Sequence, residues 1–558
     1  MLHTFPLSRY FAVAVVPAIA LAAPALAQVS TTGAVFQSAP NDEQGGRLIV
    51  GFEGVGSATI SGDVVLESSL EPPSPDDPAA IIASAPYFNV GEQDGGIGSA
   101  VVEGENASVV LLGNDNTANV MVGNRGGIGT LVLREGALVS TRDEAATAAT
   151  GPGFANAIFV GSRGGTGTFE VDGASAEVVS TFGAFMFIGN LGGTGNAVFR
   201  NGASLAITEI ASDEEGNDGN GASIIVGRAG ADEGDGGGTG SLTVDGSTVS
   251  VSSANASAQL VVGREEGTLG TVQLTGGAQV DLTGEQASVQ IGRDAGAQGV
   301  LTMDEGSVLT LSGTQSPSVQ VGAAFPDFGR DEGGSGTLLL SGAGTRLETS
   351  GNVIIGAPTA FGDGTGSGMV SVSQGATLQA ERVFVGTGGV LTGNSGFIDA
   401  NVTLDGGVIA PGASPGSMSV FGNFDAFSGI FDFEFAGSTP GLFDTLDIFG
   451  DLMIGNDVTF RFSFLDGFLP AASTEFNFLN VKGDVFGELS NVMFEGIEDS
   501  FGLSLFSKDG SFVLAQSASF PGENGDTVAP IPLPASVLLL ATGVAGLAAL
   551  RRRRSPLA

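Results

Sequence analysis

The chain of 558 residues has no cysteine and no tryptophan, and its single histidine, His3, stands at the N-terminus. Those absences remove whole classes of chemistry. No disulfide framework can form. A Ser-His-Asp triad, a Cys-His dyad and a His/Cys zinc site are excluded from the body of the chain. Positive charge is also scarce, with 20 Lys and Arg against 60 Asp and Glu and a formal net charge of −40. Five of the basic residues, Arg9 and Arg551 to Arg554, lie in the terminal segments, which leaves 15 for everything between. A surface of that sign repels nucleic acid, whose phosphates need Lys and Arg partners. It also opposes self-association at low salt. Lys482 and Lys508 are the only lysines available as amine bases.

Glycine is abundant instead, at 92 residues, and it is periodic. A hydrophobic-Gly step recurs at Gly51, Gly91, Gly123, Gly161, Gly189, Gly227, Gly263, Gly292, Gly322, Gly356 and Gly386. Most copies continue into a Gly-Thr-Leu-like run such as Gly129-Thr-Leu-Val-Leu133, Gly167-Thr-Phe-Glu-Val171 or Gly336-Thr-Leu-Leu-Leu340. A Gly turn follows, as at Gly136, Gly173, Gly246 and Gly306, and then a third apolar-alternating run. Alternation such as Leu242-Thr-Val244 is the period-2 signal of a strand with one face inward. No helix-length periodic segment separates the runs, which argues against a βαβ fold. The hydrophobic content of 42% is too high for disorder.

Three strands of about 4–5 residues in each roughly 30-residue unit describe one rung of a solenoid. The expected fold is all-β, a right-handed parallel β-helix over residues 45–420, preceded by an N-terminal cap or linker at 28–44. About eleven rungs would make a rod on the order of 50 Å long. Twenty of the 37 Phe fall after residue 420. Phe431-Asp-Phe-Glu-Phe435 and Phe460-Arg-Phe-Ser-Phe464 alternate strictly, so residues 421–520 read as a Phe-rich β cap.

No catalytic, cofactor-binding or metal-ligating constellation emerges. The Gly-rich stretch from Gly234 to Gly240 lacks the Lys-Ser/Thr of a phosphate loop, and Gly126-Gly-Ile-Gly129 lacks the Asp of a calcium nonapeptide. Acidic insertions such as Asp213 to Gly221 and Asp232-Glu-Gly-Asp235 are suited to weak Ca²⁺ binding at most. Carboxylate pairs alone can cleave glycosidic bonds, so a β-helical polysaccharide hydrolase or lyase is the alternative to a non-catalytic rod. Against it, Asp76-Asp77 lies between Pro75 and Pro78, which suits a loop better than a groove floor.

The termini read as addresses. Arg9, the apolar run from Phe11 to Ala23, and Ala25-Leu-Ala27 form a signal peptide, with cleavage expected between Ala27 and Gln28 by signal peptidase after Sec export. At the other end, the linker 521–534 leads into an apolar run from Ala535 to Leu550 and then Arg551, Arg552, Arg553 and Arg554. Sixteen helical residues span about 24 Å, a short transmembrane helix in the inner membrane. The four Arg hold the tail 551–558 on the cytoplasmic side.

Two stretches resemble known families. Leu404 to Phe424, with Pro411, Gly412, Ser414 and Gly416 at the expected offsets, resembles the passenger-associated repeat of bacterial autotransporters, which occurs in β-helical passengers. Autotransporters end in a translocator barrel of ~10-residue strands. Only about 130 residues follow here, so self-translocation is not expected. The C-terminal tail, through Ile531, Pro532, Leu533, Pro534 and Ala535, resembles the VPLPA variant of the PEP-CTERM sorting signals of Gram-negative bacteria. That resemblance implies recognition by an exosortase-like membrane protease and transfer to the cell surface or an exopolysaccharide matrix. The expectation is a non-catalytic, adhesin-like or structural surface protein, with exopolysaccharide or biofilm association.

Overall fold

The computed structural model describes residues 29–37, 46–67, 85–113, 117–142, 155–210, 220–230, 236–323, 331–362, 364–412, 415–471, 474–497, 502–508 and 511–516. The fold is all-β and solenoid-like, and among the described residues no helix is long and apolar enough to cross a membrane. Each strand from Arg47–Phe52 to Arg346–Thr349 pairs in parallel with the strand three places further on. The strand Ile128–Arg134 thus lies between Ile97–Glu103 and Thr166–Asp172. The strand Leu138–Arg142 lies between Ser108–Leu112 and Ser175–Ser180. The chain therefore winds in coils of three strands. Equivalent strands stack into three faces, named here in chain order within a coil.

The strands are longer than the sequence suggests. Most have six or seven residues, such as Asn156–Ser162 and Thr166–Asp172; in the first six coils the Gly of the hydrophobic-Gly step lies inside the first-face strand, whereas Ser257–Val262 and Gln286–Ile291 end just before Gly263 and Gly292. At Gly161 the backbone takes φ +66°, and a Cβ there would stand 1.9 Å from the carbonyl oxygen of Thr194 in the next coil. Gly167, on the second face, has no such dihedral. Its Cβ would meet Val122 O of the preceding coil at 2.1 Å and Gly161 N of its own coil at 2.4 Å. Two glycines per coil thus let three backbones meet at one corner. This corner repeats in register, Gly98 to Gly129 to Gly167 to Gly195 to Gly240.

Inward residues stack on their equivalents. Leu131, Phe169, Ala197, Leu242, Val272, Leu301 and Leu338 form one buried column, in which the small Ala197 is flanked by larger neighbours. No coil buries its face alone, so stability comes from neighbour stacking. Further on, faces fuse into single bent strands: Thr377–Gly386, Phe424–Phe435 and Leu452–Phe464 each run through two faces, and Gly396–Ala410 runs through all three. Parallel pairing continues through these Phe-rich strands, with Phe431 opposite Phe460 and Phe433 opposite Phe462. The parallel stack therefore extends beyond residue 420 to about fourteen coils, on the order of 65 Å.

Both ends are closed by a change of strand direction. Val29–Gly33 pairs antiparallel with Val55–Ile60, and Val35–Gln37 with Arg47–Phe52. At the far end Ser511–Gln516 pairs antiparallel with both Glu475–Val481 and Leu503–Lys508. Such caps remove the open strand edges on which a solenoid would pair with another chain.

Candidate functional site

The first-face strand has the pattern outward-inward-outward-inward-Gly, so its outward residues form columns along the stack. One column runs Ile49, Asn89, Met121, Phe159, Phe187, Ile225, Val261 and Gln290. Outward side chains are ordinarily exposed. Here Asn89 is 4% exposed, Ile225 4% and Val261 1%. Ala157, Phe187, Ile225 and Val261 form a buried cluster separate from the main core, with Phe159 and Phe185 packed against it. Phe159 and Phe187 stack at 5.0 Å between centroids. The outer side of the first face is thus a groove with an apolar floor.

Toward the N-terminal end the groove opens into a cavity of about 860 Å³. Its lining carries three guanidinium groups, Arg47, Arg125 and Arg163, against one carboxylate, Glu92. The Arg47 guanidinium lies 5.4 Å from the Tyr87 ring centroid. Burial raises the Tyr87 hydroxyl above its ordinary pKa, with Arg47 opposing the shift. Asn89 Nδ2 donates to Glu92 Oε2 at 2.8 Å, and Arg125 lies 3.7 Å from the same carboxylate. Arg125–Gly126 and Arg163–Gly164 each hold two successive left-handed residues, which places the two arginines at the tips of tight turns.

In a second column Glu92, Asn124, Ser162, Asn190 and Arg228 are in register, and Arg264 and Arg293 follow their step glycines in the same way, so that its far end carries three successive arginines. The Arg228 guanidinium lies 5.0 Å from the Phe187 ring centroid. Arg264 is held below the usual guanidinium range by burial, and the like charges of Arg293 and Arg228 add to that, against the opposing pull of Glu265. Arg264 Nε is 3.0 Å from Glu265 Oε1 and Arg293 Nε 3.5 Å from Asp294 Oδ1, neither aligned as a hydrogen bond. Several buried polar atoms along the groove have no hydrogen-bond partner: Asn89 Oδ1, Asn119 Oδ1, Asn190 Oδ1, Gln290 Oε1 and Arg228 Nε. Buried polar atoms are ordinarily satisfied.

Ala27, Gln28, the sorting motif Ile531 to Ala535, the apolar run 535–550 and Arg551 to Arg554 fall outside the described residues, as do Asp76 and Asp77 and most of the acidic insertions. Among the described residues no group of three His, Cys, Asp or Glu is placed to hold a metal ion. The segment resembling the passenger-associated repeat is described except for residues 413–414. Its glycines wrap a carboxylate from the next coil. Asp444 is 1% exposed and accepts from Gly416 N at 2.6 Å and Glu434 N at 2.8 Å. A Cβ on Gly412 would meet Asp444 Oδ1 at 2.2 Å.

Burial pushes Asp444 up to about 7, with the two backbone donors pulling the other way. A carboxyl whose pKa is higher folded than unfolded favours the folded state most when protonated. Its contribution is complete below about pH 4 and is lost as pH rises to about 7. The wild type should therefore lose on the order of 3 kcal/mol across that window relative to Asp444→Asn. Urea titrations of both proteins at pH 4 and pH 7.5 check this. Parallel pH dependences in the two would show that Asp444 does not titrate there.

No protein-family model matches the chain, and a search of curated proteins finds no match.

Proposed function

We propose that the protein is an exported, non-catalytic rod of the cell surface or extracellular matrix, with an adhesin-like or structural role. In this reading the solenoid is a right-handed parallel β-helix, the hand that parallel crossover connections favour. The signal peptide ends at Ala27, an exosortase-like protease acts at Ile531 to Ala535, and the segment 535–550 with its Arg tail anchors the chain until then. The supporting observation is the core: it is continuous from Leu48 to Leu514 and closed by antiparallel strands at both ends, which makes the rod self-sufficient. Mass spectrometry of the protein recovered from its native cell surface tests the reading. The expected N-terminus is Gln28 and the expected C-terminus lies near Pro534. A protein recovered only from the cytoplasm with Met1 intact would sink it.

The cavity gives the polysaccharide-active alternative its one specific support. Glycoside hydrolysis uses two carboxyl groups flanking the bond, and the lining holds Glu92 alone. A Tyr base needs a lowered pKa, whereas Tyr87 is shifted upward. Release of new reducing ends or unsaturated products from acidic polysaccharides would establish the alternative in place of the rod.

A further inference from the structure

We propose that the outer groove of the first face binds a strand of an acidic polysaccharide laid along the stack, with sugar rings on Tyr87, Phe159 and Phe187 and carboxylates on Arg125, Arg163 and Arg228. This rests on the extracytoplasmic reading above.

Three independent features of the groove converge. The first is charge. In a chain of net charge −40, scarce arginines gather along one edge, and the cavity lining is positive. At physiological salt the Debye length is about 8 Å, so an approaching anion responds to this local charge more than to the distant acidic surface. Arg228, Arg264 and Arg293 follow one another in successive coils; Glu265 and Asp294 stand beside the latter two, and no salt bridge is formed by Arg228 among the described residues. The second is unmet hydrogen bonding. Asn89 Oδ1, Asn119 Oδ1 and Asn190 Oδ1 are buried acceptors without donors, and Arg228 Nε is a buried donor without an acceptor. Hydroxyl groups donate and accept, and so satisfy both kinds. The third is shape. Five successive coils, ~4.8 Å apart, each offer a ring or a guanidinium, in the order Tyr87, Arg125, Phe159 with Arg163, Phe187 and Arg228, a spacing close to the rise of one sugar ring in an extended chain. Planar guanidiniums suit carboxylates through paired hydrogen bonds.

Nucleic acid fits less well, because the groove offers scattered guanidiniums and no lysine to a backbone of continuous charge. The acidic surface of a second copy is a competitor for the same arginines, and it is an outcome of the test.

The test titrates the exported full-length protein with an oligouronate and with a neutral oligoglucoside, by calorimetry at low and at near-physiological salt. The oligouronate should bind, more weakly at the higher salt, and the neutral oligomer should not match it. Arg125→Glu combined with Arg163→Glu should weaken oligouronate binding about tenfold or more. The thermal midpoint should not move, since the Arg125 side chain is 53% exposed. Phe159→Ser should also weaken binding, whereas Phe421→Ser, at an exposed ring outside the groove, should leave it unchanged. Absence of oligouronate binding overturns the proposal. So does equal binding of the neutral oligomer, or full affinity in the charge-reversed variant. Arginine-dependent dimerisation without glycan would assign the groove to a second copy. Export is read separately from the termini of the native protein, so a failure of glycan binding and a failure of the surface reading are distinguishable.

Discussion

Gly167→Ala will destabilise the stack by about 3 kcal/mol or more, whereas Gly164→Ala, three residues away, will cost only about 1 kcal/mol. Both glycines belong to the corner between the first and second faces, but for different reasons. Gly164 has φ +74°, and a Cβ added there would have no atom within 4 Å, so alanine meets only the steric cost of a left-handed backbone. Gly167 has an ordinary strand dihedral, and its Cβ would lie 2.1 Å from Val122 O and 2.4 Å from Gly161 N. Both obstacles are backbone, which cannot rotate aside as a side chain can. Relief requires coils to separate at that corner, which breaks the parallel ladder between Thr130 and Thr168 and their neighbours. Urea midpoints for the two variants measure the contrast. Equal midpoints would mean that coils do not meet at this corner in the register given.

The same pair of glycines shows what can be read from sequence. The step glycines, including Gly161, are legible because a Gly ending an apolar run signals a positive φ. The period, the three runs and the all-β class follow from alternation between those steps. The role of Gly167 is not legible in that way. It looks like the first residue of a strand, and its necessity arises from Val122 in another coil. The groove is hidden for a related reason. Its outward positions differ in every coil, Tyr87, Asn119, Ala157, Phe185 and Ser223, so no repetition marks them. The arginines leave a trace, since Arg228, Arg264 and Arg293 each directly follow a step glycine. Only the register turns that trace into a column. Likewise the Pro411-Gly412 stretch shows a motif, but its partner Asp444 lies one coil further on. The Phe-rich segment is legible as alternating β-structure. Its continuation of the parallel stack depends on which strand pairs with which.

Phe462→Ala should remove about 3–5 kcal/mol from the far end of the rod and almost nothing from its middle. Phe462 is fully buried on the second face. It stacks on Phe433 in the preceding coil at 5.9 Å and on Phe494 in the next at 5.6 Å, and meets the edge of Phe478 at 5.0 Å. Truncation forfeits the burial of a large ring and four ring contacts, the fourth with Phe435 at 5.9 Å, each worth about 0.5–1.5 kcal/mol beyond area. The rigid ladders on either side limit collapse into the space. In a solenoid such a loss passes only to neighbouring coils, so the damage should be local. Hydrogen exchange makes this visible: amides of Glu475–Val481 and Asn491–Glu495 should exchange faster, while those of Gln279–Gly284 and Gln298–Met303 should not change. The antiparallel cap, whose Phe512 and Leu514 belong to the same core, should loosen with the first group. If the central strands accelerated equally, the rod would be unfolding as one cooperative body, and nearest-neighbour stacking would be the wrong account of what holds it together.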